Sequence, residues 1–238
     1  VVLLHGLADD TGVWERVIPA LAKTHRVIAL DQIGFGRSGK PLLSYRVATL
    51  VDFVDRFLCD LKIDRATLVG NSLGGWVAAD FALAHSERVD RLVLSDSAGY
   101  AQAIKGLSQR TLSALHFASR DDIRELGPLT FHDKRFYEDL DGAFTQRVSA
   151  GDGYTVNQIV ASMIRGEDIL DGRVSQIHKP TLIVWGREDK LIPVDYANRF
   201  HKEIVGSQLV LIDNCGHMPH VECPDKFNEA VLRFLGDL

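Results

Sequence analysis

Short, almost wholly apolar runs alternating with amphipathic stretches constrain this chain more than any other feature. Val1–Leu4, Arg26–Leu30, Ala66–Val69 and Arg91–Ser95 are each bounded by turn residues, the texture of strands covered on both faces. Between them Gly12–Ala22, Tyr45–Leu61 and Leu73–His85 read as helices. In the middle one Val47, Leu50, Val51, Val54, Phe57, Leu58 and Leu61 recur at helical spacing, with Asp52, Asp55, Arg56 and Asp60 on the other face. Strand and helix in alternation predict an α/β fold, a mostly parallel sheet flanked by helices.

After Ser95 the pattern changes. From about Ala98 to His178 the chain is polar and helix-like without a convincing strand. Gln109–Ser119, Asp133–Ser149 and Thr155–Arg165 read as helices, punctuated by Gly127-Pro128, Gly151 and Gly153. Strand character returns at Thr181–Trp185 and Leu209–Ile212, and Pro224–Phe234 reads as a closing helix. The expected organisation is one core formed by residues 1–97 and 179–238, with a helical insertion over 98–178. Val1–Leu4 reads as a strand with nothing before it, not even a methionine, which suggests a piece of a longer protein.

Composition excludes several functions. The 238 residues carry a formal net charge of −5, whereas nucleic-acid binding needs a basic face. No apolar run approaches the roughly 20 residues that span a bilayer. Cys59, Cys215 and Cys223 have neither the number nor the spacing of a disulfide framework or a zinc site, so a reducing cytoplasm is the default expectation.

The chemistry centres on Gly70-Asn71-Ser72-Leu73-Gly74, set between the strand Ala66–Val69 and an apolar helix containing Trp76, Val77, Ala78 and Phe81. In that context G-x-S-x-G is a nucleophile elbow, a tight turn that exposes the serine hydroxyl at the carboxyl edge of a sheet. Side chains at the two glycines would collide with neighbouring backbone. Leu73 opens the helix with its N–H toward a developing oxyanion. Serine needs a base. His217, in Asn214-Cys215-Gly216-His217-Met218-Pro219, follows a late strand and can reach Ser72 across the sheet edge. His220 is the nearest rival; His85 and His201 fall near helix ends, and His116 and His132 in the insertion. The acid should follow an earlier strand, which places Asp189 in Gly186-Arg187-Glu188-Asp189-Lys190. Asp96, after Arg91–Ser95, is a physically possible substitute for it.

Along nearly its whole length the chain resembles the cap-bearing α/β-hydrolase superfamily. The matching pieces are Leu4-His5-Gly6-Leu7 with Trp14, Asp31-Gln32-Ile33-Gly34-Phe35-Gly36-Arg37-Ser38, Gly70–Gly75, Gly186–Asp189 with Ile192-Pro193, and Gly216-His217. The resemblance implies a serine hydrolase with Ser72 as nucleophile, Asp189 orienting His217, and the N–H groups of Leu7 and Leu73 as oxyanion hole. It implies Trp14, Asn71 and Met218 in the substrate pocket, roofed by a cap. Leu112, Leu115, Phe117, Phe131, Phe136, Tyr137, Phe144 and Met163 are the expected cap lining. No metal or organic cofactor is implied, and the partner is a small-molecule substrate for a monomer or homodimer. Members of this fold with an aspartate at the elbow, such as haloalkane dehalogenases, are excluded by Ser72. The family's two leading strands are missing here. Asp31–Ser38 is glycine-rich but lacks phosphate-loop spacing, so it reads as a structural turn near the pocket.

The first expectation is cleavage of a carboxylic ester with a small or medium apolar acyl group, the work of a serine esterase. A second is carbon–carbon bond hydrolysis of a vinylogous diketone from aromatic ring cleavage. Those enzymes resemble this elbow but carry a glycine-proline-rich turn after His-Gly and a tryptophan after the histidine. Here stand Leu7-Ala8-Asp9-Asp10 and Met218. Their substrate carboxylate needs an arginine, and Arg110, Arg120, Arg124, Arg135, Arg147 and Arg165 are all available. A third expectation, of another class, is a small-molecule receptor of the same fold that turns over slowly or not at all.

Overall fold

Six strands form one parallel sheet in the computed structural model, which describes residues 1–236. They are β1 (Val2–Leu4), β2 (Ile28–Leu30), β3 (Ala66–Asn71), β4 (Val89–Ser95), β5 (Thr181–Gly186) and β6 (Gln208–Ile212), in the order β2-β1-β3-β4-β5-β6. Every sequence-predicted strand is present within a few residues. Side chains alternate across the sheet, and both faces are buried. Val2, Leu4, Leu68, Leu92, Leu94, Ile183 and Trp185 enter one core with the helices Val47–Asp60 and Leu73–Ala84. Leu3, Val69, Val93, Leu182 and Val184 enter the other with Phe227, Val231 and Phe234 of the helix Pro224–Leu235. Burial of each large aliphatic or aromatic side chain contributes ~1.5–3 kcal/mol, so continuous apolar strands are stable only in this two-sided setting.

Sheet topology positions the site. The chain steps from β1 out to β2 and returns to β3 on the other side of β1. That reversal opens a crevice at the carboxyl ends of β1 and β3, where α/β sheets bind ligands. Leu4 pairs with Gly70, Asn71 with Ser95, and Ser95 with Val184. The loops after four strands therefore emerge side by side.

Between β4 and β5 the described residues are helical without a strand: Ala101–Lys105, Gln109–Ala114, Arg120–Thr130, Leu140–Ser149 and Gly153–Arg165. The two ends of this block are tied together, Leu170 donating to the Gly99 carbonyl at 2.9 Å and Ala101 to the Asp171 carboxylate at 2.8 Å.

Three local expectations are corrected. The helix expected over Gly12–Ala22 breaks into Thr11–Trp14 and Ile18–Leu21, because Pro19 has no N–H to give to a preceding turn. The single helix expected over Asp133–Ser149 is two, each started by an aspartate cap. Asp133 accepts from Arg135 N–H at 3.0 Å, and Asp139 from Gly142 N–H at 2.9 Å. Gly127-Pro128 does not punctuate; it lies inside the helix Arg120–Thr130, where Gly127 lets Tyr137 pack closely.

Candidate active site

Ser72 stands at the turn from β3 into the helix Leu73–Ala84, with φ 54° and ψ −116°. A non-glycine residue there is strained, and surrounding bonds hold it. Its N–H donates to Ser95 O at 3.0 Å, and its carbonyl accepts from Trp76 and Ala98 N–H at 3.1 Å each. The flanking glycines are required by space. A Cβ on Gly70 would lie 2.6 Å from Gly75 N and collide with the Gly74 carbonyl. One on Gly74 would lie 2.6 Å from His5 O and collide with the Leu4 carbonyl.

His217 follows β6 and is nearly buried. Its Nδ1 lies 2.7 Å from Asp189 Oδ2, while Asp189 Oδ1 accepts the N–H groups of Leu191 and Ile192 at 2.9 Å each. A carboxylate only accepts, so Nδ1 carries the hydrogen and Nε2 is left as the basic nitrogen. Nε2 makes no hydrogen bond to the described residues, and His217 and Ser72 line the same cavity. Asn71 ties the two loops together, donating through Nδ2 to His217 O at 3.0 Å and Ser95 O at 3.3 Å. Glu188 turns away, accepting Cys215 N–H at 2.9 Å.

Leu7 lines the same cavity as Ser72, Leu73 follows Ser72 in the chain, and the N–H of neither donates to a described residue. The Leu7 loop is set by buried His5, whose Nε2 accepts Gln32 N–H at 3.1 Å while Nδ1 donates to Gly6 O at 2.8 Å. Burial lowers the His5 pKa and keeps the ring neutral for both roles. Asp31–Ser38 wraps the Asp31 carboxylate, which accepts Thr11 N–H at 2.7 Å and Arg37 N–H at 2.9 Å. Burial pushes that carboxyl up, but these N–H groups outweigh it and hold it below its usual range. The segment is a turn at the cavity wall, as its sequence suggests.

The cavity encloses about 1460 Å³ and is lined by Asn71, Met218 and the helical block. Leu112, Leu115, Phe117, Phe131, Phe136, Tyr137 and Met163 line it. Phe144 does not; it lies under the Arg120 guanidinium, 4.7 Å from its ring centroid. Trp14 is likewise corrected. It is fully buried in the second core, its ring 4.3 Å from that of His220.

Three features of the site were not read from the sequence. Asp9 lines the cavity, and its Oδ2 is 2.9 Å from where a Cβ on Gly6 would stand, a point also 3.4 Å from Ser72 Cβ. Burial pushes the Asp9 carboxyl up to about 7, against the pull of His217. Arg147 enters the cavity as a buried ion pair with Asp152, leaving Nε and Nη1 without partners. The end of Arg120–Thr130 grips both loops of the site, Thr130 O accepting His217 N–H at 2.6 Å and Leu129 O accepting Lys190 N–H at 3.2 Å. The doubled acid after His5-Gly6 was the available signal for Asp9. Nothing in the sequence separated Arg147 from the other arginines of the block.

The model of the Alpha/beta hydrolase family matches residues 1–230. The chain belongs to that family. It is 36% identical over 248 residues to a 2-hydroxy-6-oxo-6-(2'-aminophenyl)hexa-2,4-dienoic acid hydrolase of Metapseudomonas resinovorans, covering 99% of this chain and 83% of that protein. Among solved structures, a meta-cleavage product hydrolase from Pseudomonas fluorescens superposes with a TM-score of 0.84 at 28% identity, over 99% of this chain and 90% of that one. Est816, described as an N-acyl homoserine lactone degrading enzyme, superposes with a TM-score of 0.83 at 30% identity, over 98% and 91%. This α/β hydrolase is thus similar to a dienoic acid hydrolase, a meta-cleavage product hydrolase and a lactone-degrading enzyme. No helix of the described residues is long and apolar enough to cross a membrane.

Proposed function

We propose that this hydrolase cleaves carboxylic esters of small or medium-sized apolar acyl groups through an acyl-enzyme on Ser72. The observation that carries the reading is His217, held by Asp189 at 2.7 Å through Nδ1 with Nε2 free of any hydrogen bond, in a residue that lines the same cavity as Ser72. In the proposed reaction Nε2 takes the Ser72 proton as Oγ attacks the carbonyl. The Leu7 and Leu73 N–H groups receive the oxyanion, and His217 then protonates the leaving alcohol. Water, deprotonated by His217, repeats the attack and releases the acid. Asp189 fixes the tautomer and balances the imidazolium. Residues 98–178 act as a cap whose aromatic and aliphatic side chains hold the acyl chain and exclude water.

A second reading, hydrolysis of a carbon–carbon bond in a dienoate ring-cleavage product, is favoured by Arg147. Arg147 lines the cavity, its buried Nε and Nη1 have no hydrogen-bond partner and would have to be uncovered to receive a substrate carboxylate, and the Metapseudomonas relative acts on such a compound by name. We rank it second because Asp152 already balances that charge, Asp9 adds a further carboxyl, and Met218 stands after the histidine. A lactone is a cyclic ester, so the Est816 likeness supports the first reading. Wild type and Ser72→Ala are to be assayed on p-nitrophenyl acetate through decanoate and on a 2-hydroxy-6-oxo-dienoate. Ester turnover lost in Ser72→Ala by about 10⁴-fold or more supports the first reading. Dienoate cleavage outpacing every ester establishes the second. Folded protein inert to both refutes the two together.

A further inference from the structure

Asp96 directly follows β4; it is fully buried and holds φ +44°, a backbone conformation rare for a side-chain-bearing residue. The proposed reaction does not use it, yet it is elaborately held. Its N–H donates to Val184 O at 3.1 Å, Oδ1 accepts Gly186 N–H at 2.9 Å and Oδ2 accepts the Ser95 hydroxyl at 2.9 Å. One carboxyl oxygen each of Asp96 and Asp189 and a ring nitrogen of His217 lie within 4.8 Å of one another, all buried. Two buried carboxyls that close do not both carry charge. Asp189 has two backbone N–H donors and the imidazole to stabilise an anion; Asp96 has one N–H, one hydroxyl and no cation. The proton of the pair therefore belongs on Asp96.

We propose that Asp96 is a positioning residue whose un-ionised carboxyl donates a hydrogen bond to the Asp189 carboxylate, so that a single, oriented negative charge faces His217. The proposal rests on the serine-hydrolase reading. Burial first, and then the Asp189 charge, push the Asp96 carboxyl well above the usual carboxylate range. The strain at Asp96 has a reason in this account: the turned backbone aims its side chain beneath β5, where the Asp189 loop begins. With one charge rather than two behind it, the His217 ring is oriented through Nδ1 by a single carboxylate.

The test follows His217 itself. Its titration is read by nuclear magnetic resonance, independent of turnover, beside the acid limb of kcat/KM. Asp9, His220, Glu222, Glu188 and Arg147 also face this region, and none changes in the variants. Asp96→Leu keeps the site neutral but removes the donor. The freed Asp189 becomes a stronger partner for the imidazolium, moving the His217 midpoint up by about one pH unit, with kcat down at least about tenfold at little changed KM. Asp96→Asn returns a neutral donor and is expected to recover most of kcat and the wild-type midpoint. A midpoint in Asp96→Asn about one unit below wild type shows that Asp96 carried a charge and overturns the proposal. An Asp96→Leu midpoint equal to wild type overturns the hydrogen bond. If Ser72→Ala hydrolyses esters as wild type does, the serine reading falls, while the resonance still reports the state of the carboxyl pair.

Discussion

His220 lies three residues beyond His217, and its ring should stay neutral as the pH falls. His220 is fully buried in the short helix Pro219–Glu222, its ring tilted against Trp14 at 4.3 Å and near Phe227 at 5.9 Å, with neither ring nitrogen hydrogen-bonded. Burial, with a smaller contribution from His217, lowers its pKa from 6.5 to about 3. Between those values the unfolded chain takes up a proton that the folded chain refuses, so stability falls as the pH drops through this window. The linkage costs about 0.2 kcal/mol at about pH 7 and about 2 kcal/mol at about pH 5, with a ceiling of about 5 kcal/mol at lower pH. His220→Phe removes the titration. Its offset from wild type at about pH 7.5 reflects packing and the two unsatisfied nitrogens, which act in opposite directions. The change in that offset reflects the proton alone. Urea unfolding should show the variant gaining about 2 kcal/mol on wild type between about pH 7.5 and about pH 5, equivalent to about 4–8 °C in Tm for a chain of this size. Ester turnover should survive in His220→Phe and vanish in His217→Phe. Parallel stability curves for wild type and His220→Phe across this range would refute the reasoning.

Gly74→Ala sets a Cβ against the carbonyls of Leu4 and His5, so β1 and the elbow must part. Thermal denaturation should register a loss of about 3 kcal/mol or more, and kcat/KM should fall at least about 100-fold as Leu7 and Ser72 lose register. Asp9, with its carboxyl pushed up to about 7, is neutral below that pH and anionic above it. A negative charge beside the developing oxyanion opposes catalysis, so wild-type kcat/KM should decline by about tenfold above about pH 7. The Asp9→Asn profile should stay level there; an unchanged alkaline limb would count against a role for Asp9. Arg147→Leu strands the Asp152 carboxylate, which is almost wholly buried. Chemical denaturation should show a loss of about 3–5 kcal/mol, most of it restored in the double variant Arg147→Leu/Asp152→Leu. Additive losses in the double variant would contradict that pairing.

How much of this was legible in the sequence depended on how locally each feature is encoded. The strands were readable because two-sided burial demands continuous apolar runs, as in Leu92-Val93-Leu94. The elbow was readable because its two glycines are required by backbone contacts to Leu4 and Gly74 that any such turn makes. Helix boundaries followed single residues whose effect is steric or capping: Pro19 split one helix, and Asp139 started another. Trp14 was misplaced because an apolar ring near His5-Gly6 fits core and cavity equally well, and only the packing of Pro224–Leu235 decides. Asp96 was readable as a second possible acid after its strand, but its closeness to Asp189, like the place of Arg147 at the cavity, depends on which strand ends and helices lie adjacent in space, and sequence spacing does not record that. The coupling of Thr130 to His217 joins residues distant in sequence through a backbone carbonyl, so no side-chain identity could reveal it.

The central claim is that Ser72, activated by His217, is the nucleophile. Phenylmethylsulfonyl fluoride tests it directly, because attack by Oγ on sulfur expels fluoride, leaves a stable sulfonyl ester and passes the serine proton to His217. Peptide mass mapping of the treated protein should place one adduct on the peptide carrying Ser72, formed in step with loss of ester hydrolysis. The adduct should be missing from His217→Ala. Complete inactivation with the adduct on another residue, or full activity with Ser72 modified, would contradict the account.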